Sequence, residues 1–145
     1  MEDDLERRSK EIKKRLAADG FQVFRTLQTE IVLADRVRDN LIMDSGVRVC
    51  LDGDGYAVRC VVRSQRSDHP QDTDEEGMAR ARSLAAGLSQ SGYQAVEERT
   101  SPIEDPNVPG RELDLWCELV LEKRVADWPE LVDELRRALA APKLA

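Results

Sequence analysis

Between Leu113 and Leu121 every second residue is apolar: Leu113, Leu115, Cys117, Leu119 and Leu121 alternate with Asp114, Trp116, Glu118, Val120 and Glu122. A period of two predicts a long strand with one wholly apolar face. The same period runs through Val47, Val49 and Leu51, and again through Tyr56, Val58, Cys60 and Val62. Asp52-Gly53-Asp54-Gly55 lies between those runs, where glycine supplies the positive φ of a tight turn, so the segment predicts a β-hairpin.

Elsewhere the period lengthens to that of a helix. Thr73 and Glu76 form a capping box, and Asp74 and Glu75 load acid into the first turn. The stripe Met78, Ala81, Leu84, Ala85 and Leu88 then predicts a helix to about Ser91, ended by Gly92. Asp127 caps a second helix with Pro129 at its first turn; Leu131, Leu135 and Leu139 carry it to Pro142. Tyr93 to Thr100 reads as a weakly patterned strand. Residues 64–72 read as loop, and so does Ser101 to Gly110, which holds Pro102, Pro106 and Pro109.

The first third is less regular. Residues 2–19 predict a helix with a thin stripe of Leu5, Ile12 and Leu16, Ser9 filling the gap, and Gly20 as its stop. Residues 21–27 fit a short strand or a connector. Across 29–43, Ile31, Ala34, Val37, Arg38, Leu41 and Ile42 share one side at 3.6-residue spacing and predict a second helix, although Ile31-Val32-Leu33 is also a β-branched run.

From residue 46 to 141 the expected order is therefore ββαββα: an antiparallel four-stranded sheet with both helices on one face, in a single domain. The N-terminal helices are expected to pack on this sheet or on a partner. The order resembles a circularly permuted ferredoxin-like sandwich. It is also similar to secretion-chaperone folds, which share a leading helix, antiparallel strands and interspersed helices. Likeness at the level of fold carries no function.

Composition narrows the function classes. The chain has 145 residues, 35% of them charged, and a net charge of −7. An acidic surface disfavours a general binder of nucleic acid or anionic membrane, since phosphate contact needs clustered Lys and Arg. A local contact through Arg59, Arg63, Arg66, Arg80 and Arg82 is the remaining nucleic-acid reading. Met1-Glu2-Asp3-Asp4 has no apolar core of a signal peptide, and no apolar run approaches membrane-spanning length, so a cytoplasmic protein is expected.

Chemistry is sparse. Cys50, Cys60 and Cys117 fall inside strand-like runs with no paired spacing, which argues against a disulfide framework or zinc site. Asp52-Gly53-Asp54-Gly55 lacks a calcium loop's later ligands, with Tyr56 and Arg63 at those places. His69, the one histidine, sits among Asp68, Asp72, Asp74 and Glu75 in a loop without fixed ligand geometry. Glu97 and Glu98 are adjacent on a strand, so they point to opposite faces and cannot share a substrate. No catalytic residues, metal ligands or cofactors are expected.

One surface stands out. Trp116 and Val120 lie on the strand face opposite the leucines, and the matching face of the first hairpin carries Cys50 and Val61 among Arg48, Arg59 and Arg63. Trp and Arg are enriched in interface hot spots. The candidate partner-binding residues are thus Trp116, Val120, Val61, Arg48, Arg59 and Arg63, with Leu5, Ile12 and Leu16 of the first helix. The expected function is a non-enzymatic protein-interaction module or chaperone-like adaptor, homodimeric. The alternative is a small-molecule-binding or enzymatic domain, its pocket between the sheet and the N-terminal helices or at the His69 and Ser101–Gly110 loops.

Overall fold

The computed structural model describes residues 2–38, 41–51, 53 and 55–145. Asp52 and Asp54, half of the expected glycine turn, lie outside them. The elements are helix α1 (Glu2–Ala18), strands β1 (Val23–Thr26), β2 (Glu30–Arg38), β3 (Leu41–Cys50) and β4 (Tyr56–Gln65), helix α2 (Asp74–Gln90), strands β5 (Gln94–Glu104) and β6 (Glu112–Val125), and helix α3 (Trp128–Ala140). The fold is α+β, with an antiparallel sheet in the order β1-β2-β3-β4-β6-β5. It has six strands rather than four.

The two additional strands come from the N-terminal third. Of residues 29–43, expected to be a helix, Glu30–Arg38 form β2 and Leu41 begins β3, while residues 39 and 40 lie outside the described residues. Ile31, Val32 and Leu33 are all buried, so this stretch is apolar on both faces and loses the alternation that marks a half-exposed strand. Register shifts between Val32 and Ala34 and between Arg36 and Arg38 break the period further. The ambiguous 21–27 segment holds the short strand β1.

β5 runs beyond the expected Thr100 to Glu104, into the proline-rich segment read as loop. Pro102 is tolerated because β5 ends the strand order, where a missing N–H costs no ladder bond.

The chain divides into two compact units. The first comprises Met1–Cys60 and Lys123–Ala141, the second Val61–Glu122 and Pro142–Ala145. In the first, register aligns Ile31, Val49 and Val58 across β2, β3 and β4, all fully buried. Helices α1 and α3 supply Ile12, Leu16, Leu131 and Leu135 to this core. Trp128 fastens the two helices. The Arg15 guanidinium lies 4.0 Å from its ring centroid, Tyr56 meets it edge-on at 5.6 Å, and its indole N–H donates to Asp19 at 2.7 Å.

In the second unit, α2 buries Met78, Ala81, Ala85 and Leu88, and β6 buries Leu115, Cys117, Leu119 and Leu121. The expected capping box is present, with Glu76 N donating to Thr73 Oγ1 and Thr73 N to Glu76 Oε1, each at 3.2 Å. Gly77 lets α2 approach β6 closely: a Cβ there would lie 3.0 Å from Cys117 Sγ. Asp127 caps α3 as expected, accepting from Glu130 N at 3.0 Å.

Candidate functional site

β6 carries Asp114, Trp116 and Glu118 on successive like-facing positions, because strand side chains alternate. Arg63 of β4 reaches over this row. Its guanidinium lies 3.6 Å from the Trp116 ring centroid, within the range of a cation–π contact. The same guanidinium donates twice to Glu118 Oε2, at 3.2 and 3.0 Å. On the other side Arg99, opposite Glu118 in the β5–β6 register, donates to Oε1 at 3.1 Å. Glu118 is thus a buried carboxylate held between two half-exposed arginines, which offsets the cost of taking its charge out of water.

The Trp116 indole N–H donates to Asp114 Oδ2 at 3.1 Å. Asp114 also accepts from the Ser67 hydroxyl at 2.8 Å, the Ser67 N–H at 2.9 Å and the Leu115 N–H at 2.8 Å. Burial is the largest single influence on this carboxyl and pushes its pKa up. The hydrogen bonds from Ser67, Leu115 and Trp116 together outweigh it and hold Asp114 below the usual aspartate range. Trp116 itself remains half-buried, so a large ring held by Arg63 and Asp114 stays partly accessible.

The other candidate residues divide. Val61 and Val120 are only 6% exposed and Arg48 is 9% exposed, so they belong to the interior of the chain. Arg48 makes a two-bond pair with Asp44, at 3.1 and 2.8 Å, and Arg59 lies 3.8 Å from Glu30. In α1, Ile12 and Leu16 are buried within their own chain and only Leu5 is half-exposed. Sequence reasoning missed Asp114, Glu118 and Arg99. The first two were legible as the i−2 and i+2 neighbours of Trp116 on its own face. Arg99 becomes visible only once the β5–β6 register is known.

Each arginine considered for nucleic acid has a carboxylate partner. Arg59 lies by Glu30, Arg63 pairs with Glu118, Arg66 with Asp74, Arg80 with Asp72 and Arg82 with Glu98. The Arg80 hydrogen bond holds Asp72 below the usual aspartate range. Glu97 and Glu98 turn apart as expected: Glu98 bonds Arg82 of α2, and Glu97 bonds Arg99 on its own strand.

His69 is half-buried, with Nε2 3.2 Å from the Ala145 carbonyl oxygen. Among the described residues no group of three or more His, Cys, Asp or Glu is arranged to hold a metal ion. The three cysteines are buried and none forms a disulfide. Burial raises the Cys117 thiol pKa, the reverse of what an activated nucleophile needs. Among the described residues no helix is long and apolar enough to cross a membrane.

A separate hollow of about 290 Å³ lies between α1 and the β1–β2 connection, lined by Leu5, Glu6, Ser9, Thr26, Leu27 and Gln28. The Ser9 hydroxyl there is buried and has no hydrogen-bond partner.

No protein-family model matches this chain, and neither a curated protein nor a solved structure matches it significantly.

Proposed function

We propose that this chain is a non-enzymatic protein-interaction module of the adaptor or chaperone-like kind, self-associating as a homodimer, with Trp116 at its contact surface. The supporting observation is the state of that indole: half-exposed on a sheet face, yet fixed by Arg63 against its ring and Asp114 at its N–H. A rigid aromatic anchor loses little conformational freedom on binding, which is why such residues concentrate binding energy.

The test is mass in solution by light scattering across concentration, for the parent and for Trp116→Ala, with circular dichroism as the fold control. The reading expects a parent at twice the monomer mass and a folded variant at the monomer mass. A parent that stays monomeric throughout overturns it.

A second reading has its own observation. The hollow beside α1 combines apolar Leu5 and Leu27 with polar Thr26 and Gln28, the mixed lining typical of small-molecule sites. Its occupant is a small, largely apolar molecule. A metabolite panel that raises the melting temperature of the parent but not of Leu27→Glu supports it. A flat panel removes it.

A further inference from the structure

Cations are spent unevenly along this chain. Arg59, Arg63, Arg80, Arg82 and Arg99, on β4, α2 and β5, each lie against a carboxylate. Helix α1 differs. From Arg7 to Arg15 it carries six basic residues and one acid, Glu11. Arg8 and Arg15 turn back onto their own unit: Arg8 donates to the carbonyls of Gly53 and Gly55, and Arg15 covers the Trp128 ring. Arg7, Lys10 and Lys14 recur at helical spacing and are exposed, on the side away from buried Ser9, Ile12 and Leu16. The carboxylate nearest Arg7 is exposed Asp4, 3.8 Å away, and among the described residues Lys10 and Lys14 form no ion pair. Like charges three and four residues apart repel each other, and an opposing anionic surface relieves that repulsion.

The second unit has the opposite balance. It holds thirteen Asp and Glu against seven Lys and Arg, whereas the first is nearly even, with sixteen against fifteen. On the sheet face of Trp116, the β5–β6 register sets Glu97 and Glu122 in one row with Asp114 and Glu118. Arg63 and Arg99 lie among them, so four carboxylates stand around two guanidiniums. The half-buried indole gives this anionic face an apolar centre.

We propose that two copies of this chain pair by reciprocal charge: the Arg7, Lys10 and Lys14 row of each seats on the carboxylate-rich Trp116 face of the other. The proposal deepens the homodimer reading and rests on it. A second copy is the occupant the charges favour. A chain of net charge −7 is repelled at long range by nucleic acid and anionic membrane, while every copy carries both halves of this contact. Association of this kind is specified by charge pattern and weakened by salt.

The experiment measures dimer affinity by sedimentation for the full chain in three forms, with circular dichroism as the fold control. These are the parent, a row-reversed form (Lys10→Glu with Lys14→Glu) and a face-reversed form (Glu97→Lys with Glu122→Lys). The parent dimer is expected to weaken about ten-fold or more between about 50 and about 500 mM NaCl, a result that needs no variant to fold. Each reversed form alone is expected at the monomer mass, because like charges then meet. Mixed in equal amounts, the two should recover a dimer of one copy of each, since both contacts are again opposite in sign. Salt-independent parent affinity, reversed forms that dimerise as the parent does, or a folded mixture that stays monomeric each overturns the proposal. A dimer that survives reversal yet is lost in Trp116→Ala removes α1 as the occupant and leaves the interaction-module reading standing. A parent that is monomeric at every concentration overturns both, and binding of a labelled oligonucleotide by that monomer, lost in the row-reversed form, would assign the row to a polyanion instead.

Discussion

The two tryptophans present the same chemistry in different settings. Each has an arginine over its ring, Arg63 for Trp116 and Arg15 for Trp128, and each gives its indole N–H to an aspartate, Asp114 or Asp19. Around Trp128 these partners come from α1 and the turn that follows it, far away in sequence, and Tyr56 of β4 adds an edge-on ring. That cluster fastens α1 to α3. Around Trp116 the aspartate is two residues away on the same strand, and the arginine is also bonded to a buried glutamate. That cluster fixes one ring in place on a sheet face. An arginine on a tryptophan is therefore no mark of a binding surface by itself; what distinguishes the two is what the partners connect.

Trp128→Ala should be the most damaging change, because it removes a ring contact, a cation–π contact and a hydrogen bond between sequence-distant elements. We expect a loss of about 2–4 kcal/mol in urea unfolding. A loss below that of Trp116→Ala would reverse the assignment of roles. Glu118→Ala should follow at about 1–3 kcal/mol, since Arg63 and Arg99 lose their shared carboxylate while keeping partial access to water. It should also free Arg63 from Trp116, seen as a shift in the emission of Trp116 in a Trp128→Phe background. Trp116→Ala should cost only about 1–2 kcal/mol in stability, with its main effect on mass.

The smallest effect is on pH dependence. Asp114 has a folded pKa below its unfolded value, so its contribution is fully present above the usual aspartate range. It is lost as pH falls through the folded value. In Trp128→Phe, acid titration of Trp116 fluorescence should show this step, and Asp114→Asn should abolish it. A step that survives Asp114→Asn would show that another group controls the indole.

Residues with a single strong period were readable from the sequence. The β3–β4 hairpin, the β6 alternation, the capping box of α2 and the Asp127 cap of α3 each depend on local chemistry that neighbours cannot override. Residues 29–43 were misread because Ile31, Val32 and Leu33 are buried on both faces and bulges shift the register twice. The helical stripe drawn through Ile31, Ala34 and Leu41 was a coincidence of spacing. In the candidate site the face of Trp116 was legible from alternation. The burial of Val61 and Val120 was not, because covering is a tertiary property. Ile12 and Leu16 were correctly placed on one stripe, but that stripe serves the chain's own core.

The blunted outer strands bear on how copies of this chain can assemble. A long, regular border would template copy after copy and lead to fibres, since head-to-tail addition without rotational closure has no natural end. Here one border is four residues long and the other is interrupted by bulges and a proline. Growth along the hydrogen-bonding direction is thereby discouraged at both ends. A crowded solution of this chain should stay clear rather than gel.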